Sequence, residues 1–207
     1  MKQCSTLFHG KILCERVFYL PTKGEKMSNR KVIFLDVDGV LNNEKYSIFI
    51  YKILGRKRYI KKINKDFDIF DLRSVRYVAK LIDYFEGDIK LVISSTWRTN
   101  KKAVDKIIEK LSIFMKSYNV PVDVTEVDKN RIRGLEIQHY LENNNLLDSK
   151  YVIIDDDTAD IIGDKYNGMD FNPHFVWCNN KYGFQRKEYK KALKILKGDN
   201  YGNSKSK

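Results

Sequence analysis

The sequence predicts an α/β fold with a mostly parallel sheet flanked by helices. Two observations predict it. Short apolar runs alternate with longer amphipathic stretches, the pattern of strands joined by helical crossovers. Three of the four apolar runs then stop abruptly in polar clusters, as parallel strands do when their carboxyl ends face a crevice.

Residues 1–28 are mixed in character. Their stretch 17–20 could make a short strand, broken by Pro21 and Gly24. They read as an extension outside the core, with Met27 as an alternative start. The first core strand is 32–35, too short for a helix and β-branched at its start. It runs straight into Asp36, Asp38 and Gly39. Residues 43–67 form an insertion in which Tyr46, Tyr51 and Tyr59 interleave with Arg56, Lys57, Arg58, Lys61 and Lys62. A helix follows over 72–85, with Val75, Val78, Leu81 and Ile82 at helical spacing, Asp71 as N-cap and Gly87 as stop.

The second strand, 89–93, ends in Ser94-Ser95-Thr96-Trp97-Arg98. A helix over 102–116 places Val104, Ile107, Ile108 and Leu111 on one face. A third strand is expected over 120–124 and a helix from Arg133 to about 143. The fourth strand, 151–154, ends in Asp155-Asp156-Asp157. After Phe175 to Trp177, a last helix covers 187–196. The core therefore spans 29–198, and the polar tail 199–207 is expected to be disordered.

Composition narrows the function classes. At 207 residues, 43% hydrophobic and 32% charged, the chain suits one globular domain with a sizeable core. No run of about 18 apolar residues or signal-peptide pattern is present, so a membrane partner is not expected. Cys4, Cys14 and Cys178 show neither disulfide nor metal spacing, which points to a reducing, cytoplasmic compartment. His9, His139 and His174 fit no Ser/His or metal pattern. The net charge of +12 favours polyanionic partners, nucleic acid foremost. A Lys-, Asn-, Ile- and Tyr-rich composition from an A/T-rich genome would produce the same charge.

Parallel strands point their carboxyl ends the same way. Asp36, Asp38, Ser94, Ser95, Asp155 and Asp156 should therefore converge on one crevice. So many carboxylates repel unless a cation relieves them. All-oxygen ligands favour a hard ion, and Mg²⁺ suits a site that also touches a phosphate. An EF-hand fails on two counts: Gly39 stands at the fourth loop position rather than the sixth, and a strand precedes the loop.

These motifs resemble the haloacid-dehalogenase-like (HAD) superfamily of phosphatases and, within it, the HAD domains associated with RNA-repair proteins. The resemblance covers about residues 31–197. It implies a three-layer, Rossmann-like core with a small cap insertion at 43–67. It also implies that Asp36 attacks phosphorus to form an aspartyl-phosphate. Asp38 would protonate the leaving oxygen and then activate water, with its backbone carbonyl helping to hold Mg²⁺. Relatives that dehalogenate carbon lack this second Asp, so its presence points to phosphate chemistry.

The phosphate-binding hydroxyl falls on Ser95 by the family's order, with Ser94 as the competitor. Arg98 would reach a second phosphate or a nucleic-acid backbone, or else form a structural salt bridge. Trp97 reads as core sooner than as a stacking platform. Lys129, Arg131 and Arg133 compete for the cationic position, and Arg133-Gly134-x-Glu136-Ile137 matches the family's pattern and selects Arg133. A cation at a helix N-terminus opposes the helix dipole, which favours a functional reason for it. Asp155 would ligate Mg²⁺ directly and Asp156 through water.

The implied activity is a Mg²⁺-dependent phosphomonoesterase with a phosphorylated substrate, on nucleic-acid ends or nucleotides. The basic and aromatic insertion fits phosphate contacts and base stacking. Two rivals stand beside it: a phosphatase of sugar or metabolite phosphates, and a catalytically silent nucleic-acid-binding module. Oligomeric state is not legible.

Overall fold

A computed structural model describes residues 30–64, 67–116, 120–162 and 169–198. The strand considered at 17–20 and the tail 199–207 lie outside them. Five strands form one parallel sheet: β1 (Lys31–Leu35), β2 (Ile89–Ile93), β3 (Val122–Val124), β4 (Tyr151–Asp155) and β5 (Phe175–Trp177), in the order β3-β2-β1-β4-β5. Five α-helices accompany them: α1 (Glu44–Asn64), α2 (Leu72–Tyr84), α3 (Lys101–Ser112), α4 (Arg133–Asn143) and α5 (Arg186–Lys197).

Strand alternation builds the three layers. Ile33, Leu35, Leu91, Ile93, Val152 and Ile154 turn to one face and pack with Val78 and Ile82 of α2, Ile107 of α3 and Ala192 of α5. Val32, Phe34, Val92 and Ile153 turn to the other and meet Ile137, Tyr140 and Leu141 of α4. Burial on both faces explains why the strands read as unbroken apolar runs. The predicted fold class is therefore the observed one.

Some boundaries differ from expectation. α3 ends at Ser112, not at 116. Met115 keeps helical spacing from Leu111 and stays in the core, but the chain turns there, and the Asp83 carboxylate accepts from the Lys116 N–H at 2.9 Å. β3 begins at Val122, because Pro121 has no N–H for a ladder and contributes only its carbonyl, to Leu91 N at 3.0 Å. β5 was not anticipated. It is a three-residue edge strand, below the length at which periodicity is readable.

The insertion after β1 is helical. Asn43 caps α1 by accepting from Tyr46 N at 2.9 Å, and its amide donates at 2.7 Å to Asp71, the N-cap of α2. One buried side chain thus ties two helix starts together. α1 kinks at Gly55, whose φ of 71° lies in the region that favours glycine. Its exposed side chains include Ile48, Phe49, Tyr51, Ile53 and Ile60. Apolar residues all round, without a clean stripe, conceal a helix from a periodicity reading.

Candidate active site

Sheet register sets the site. Leu35 pairs with both Ile93 and Ile154, so the next residues, Asp36, Ser94 and Asp155, stand in a row at the carboxyl ends of the central strands. Backbone bonds extend the row: Asp36 N donates to Ile154 O and Ser94 N to Leu35 O, both at 3.0 Å. After β1 the chain crosses to β2 on one side, and after β3 it returns to β4 on the other. This is the topological switch point where open α/β sheets bind ligands.

Alternation also turns Asp36 and Asp155 toward the face that α4 covers. Arg133 is the first residue of α4, and its Nη1 donates to Asp36 Oδ1 at 2.7 Å and to Asp155 Oδ2 at 3.0 Å. The other two cationic candidates, Lys129 and Arg131, are exposed. The helix start is anchored where Gly134 N donates to Asp160 O at 2.8 Å. Asp157 donates its N–H to Asp155 Oδ1 at 2.9 Å, fixing the second carboxylate oxygen.

Charge is crowded here. Oxygens of Asp36, Asp155 and Asp156 lie within 4.8 Å of one another. Burial raises the Asp36 pKa above the ordinary carboxylate value, although Arg133 and a hydrogen bond from Ser95 pull it down. Burial and the neighbouring Asp36 push Asp155 well up. Asp156 is raised to about 6, by burial first and then by Asp36. For Arg133, burial disfavours the charge, but the two carboxylates outweigh it and raise its pKa.

Three buried or half-buried carboxylates against one guanidinium leave negative charge uncompensated. Their oxygens are hard ligands close enough to share one ion. On both counts the residues fit a hard divalent cation. The Asp38 carboxylate is not part of the cluster; only its backbone carbonyl was expected to contribute.

Asp38 points elsewhere. Its Oδ1 accepts from Asn42 Nδ2 at 2.8 Å, and its Oδ2 from Trp97 Nε1 at 2.9 Å. Gly39 follows with a φ of 69°, and a Cβ there would collide with the Asp156 carboxylate. Glycine is thus required twice, for the turn and for the approach of Asp156.

Ser94 and Ser95 are both fully buried. The Ser95 hydroxyl accepts from Trp97 N at 3.4 Å, starting the short 3₁₀ turn Thr96–Thr99, and is near enough to Asp36 to lower its pKa. The Ser94 hydroxyl has no hydrogen-bond partner among the described residues. Arg98, a candidate substrate contact in the sequence, turns inward instead. It donates to Thr125 O at 2.9 Å, Ser94 O at 3.0 Å and Ser95 O at 2.7 Å, and pairs with Glu136 at 2.6 Å. Four of its five N–H groups are thereby engaged, and both partners of the ion pair are buried. The substrate contact gives way to the salt-bridge alternative, and Arg98 braces the loop that carries Ser94, Ser95 and Trp97.

Asp38 and Asp156 line a crevice of about 830 Å³ that Asn42, Tyr59, Ile63, Phe67 and Trp97 also line. Trp97 meets Phe67 and Phe70 edge-on at 5.5 and 5.7 Å. Sequence reasoning missed Asn42, the Trp97 N–H and Glu136. Asn42 and Trp97 carry no charge to mark them. Glu136 was visible only as part of the Arg-Gly-x-Glu-Ile string.

Comparison with known proteins places this geometry. The model of the HAD domain in Swiss Army Knife RNA repair proteins matches residues 32–189, from β1 into α5. No curated protein and no solved structure matches the chain. The matched family supports phosphatase or hydrolase chemistry in general, and the acidic cluster offers it a metal site.

Proposed function

We propose that this chain, which belongs to the family of HAD domains in Swiss Army Knife RNA repair proteins, is a Mg²⁺-dependent phosphomonoesterase acting on nucleic-acid ends or nucleotides. One observation carries the reading. A buried carboxylate at a strand end, Asp36, is held by Arg133 beside two further acids, one of which, Asp156, lines a crevice together with Asp38.

In this account a carboxylate oxygen of Asp36 attacks phosphorus. The ester P–O bond breaks as Asp38 delivers its proton to the departing oxygen, leaving a phosphoryl group on Asp36. Asp38, now a carboxylate, takes a proton from water. That water attacks phosphorus, breaks the bond to Asp36 and releases inorganic phosphate. Arg133 fixes Asp36 for the attack and offsets charge on the phosphoryl oxygens. Ser95, beside Asp36, would donate its hydroxyl proton to one of those oxygens, with the unpartnered Ser94 hydroxyl next to it in sequence. Asp36, Asp155 and Asp156, with the Asp38 carbonyl, would hold Mg²⁺, which would supply positive charge to offset the developing negative charge.

The nucleic-acid part of the proposal draws on the family's occurrence in RNA repair proteins and on α1. Arg56, Lys57, Arg58 and Lys61 are exposed on it, and Tyr59 of the same stretch lines the crevice. A panel of 3′-phosphorylated and 5′-phosphorylated oligonucleotides, mononucleotides and sugar phosphates, with and without Mg²⁺, tests it. Mg²⁺-dependent release of phosphate, fastest from the oligonucleotides, is expected. Preference for sugar phosphates would overturn the substrate class. Salt-sensitive oligonucleotide binding without turnover of any ester would support the silent module instead.

A further inference from the structure

Asp38 stands outside the acidic cluster, and two neutral donors account for its position. Trp97 Nε1 and Asn42 Nδ2 each bond a different oxygen of its carboxylate, at 2.9 and 2.8 Å. Neither donor is free to drift. Asn42 also accepts from Gly39 N at 3.1 Å, so the turn that carries Asp38 closes on itself. Trp97 sits in the 3₁₀ turn capped by Ser95, and Arg98 grips the carbonyls of Ser94 and Ser95 from behind. The buried Arg98–Glu136 pair ties that turn to α4, the helix that also delivers Arg133. The same indole lines the crevice and packs edge-on against Phe67 and Phe70.

We propose that Trp97 and Asn42 are positioning residues that aim the Asp38 carboxyl group at the leaving oxygen. The inference rests on the phosphatase reading above and goes beyond it by assigning these two side chains. Neither touches the reacting phosphorus in this scheme. They set where the proton on Asp38 is held when the ester P–O bond breaks and the proton passes to the departing oxygen. A carboxyl group that is misplaced by an ångström transfers that proton poorly. The effect depends on the leaving group. An aryloxide departs without help, whereas an alkoxide needs the proton.

The test compares 4-nitrophenyl phosphate with 4-nitrobenzyl phosphate, which are similar in size but differ in leaving group. It uses kcat/KM, which reports the step that breaks the ester bond. Trp97→Phe keeps an aromatic ring toward Phe67 and Phe70 while removing the N–H and part of the indole volume, and the packing control separates the two. It is expected to lower kcat/KM for the nitrobenzyl ester about tenfold, the loss for one hydrogen bond to a charged group, and for the nitrophenyl ester less than about threefold. Phe67→Ala is the packing control. It alters the wall beside Trp97 without touching the N–H and is expected to move both esters together. If Trp97→Phe lowers both esters equally, or neither, the positioning role is wrong while the phosphatase reading stands. If the wild-type protein turns over neither ester with Mg²⁺ present, the phosphatase reading fails and this inference fails with it.

Discussion

Asp156 carries the clearest pH signature among the site residues. Its folded-state pKa of about 6 lies above the ordinary 3.8 because burial and the negative Asp36 disfavour its charge. For a raised carboxylate the folded form binds the proton more tightly than the unfolded chain. Its contribution to stability is fully present below pH 3.8 and is lost as pH rises through 6. A divalent cation competes with that proton, so the sign reverses for the metal-loaded protein. The gain in Tm on adding Mg²⁺ should therefore be small near pH 5 and larger near pH 7.5. Asp156→Asn should stabilise the metal-free protein near pH 7.5 by about 1 kcal/mol after solvent screening, and should shrink the Mg²⁺ gain. Thermal melts of both proteins across pH check this. A Mg²⁺ gain that is flat with pH contradicts it. At this scale the charged residues were legible in the sequence, because acids at strand ends are conspicuous. Asn42 and the Trp97 N–H were not, since their contribution depends on a turn and a 3₁₀ segment that no periodicity announces.

Among the elements, the join between α4 and the end of β2 is the one most exposed to a single substitution. Arg98 and Glu136 are both buried, and removing one partner strands the other charge. Glu136→Ala should cost about 3–5 kcal/mol and, by loosening the loop with Ser95 and Trp97, should lower kcat as well. Chemical denaturation measures the first effect, and a variant as stable as wild type would refute the bracing role. α1 makes a different prediction. Reversing charge at Arg56 and Arg58, both exposed, should raise KM for a phosphorylated oligonucleotide several-fold at low salt and leave 4-nitrophenyl phosphate untouched. The difference should fade as salt is added; unchanged KM at low salt would exclude this helix from substrate contact. Helices with an apolar stripe, α2 and α5, were readable within a residue or two. α1 and β5 were not, one for want of a stripe and the other for want of length.

Across the whole molecule, the parallel sheet performs the decisive step. Its order brings β1 and β4 side by side, and its register sets Asp36 against Asp155, which are far apart in sequence. Alternation then turns both toward α4, where Arg133 waits. That convergence was legible because apolar strands buried on both faces are easy to find and parallel strands share a direction. Which side chains meet beyond the row, as with Arg98 and Glu136, depends on packing that strand ends do not reveal. No helix among the described residues is long and apolar enough to cross a membrane. The account turns on a covalent phosphoryl group carried by Asp36. Acid quenching of the enzyme during turnover of a phosphate ester with Mg²⁺, followed by peptide mapping, should find that group on Asp36 and find none in Asp36→Asn, which should be inactive. A phosphoryl group on any other residue, or full turnover by Asp36→Asn, would contradict it.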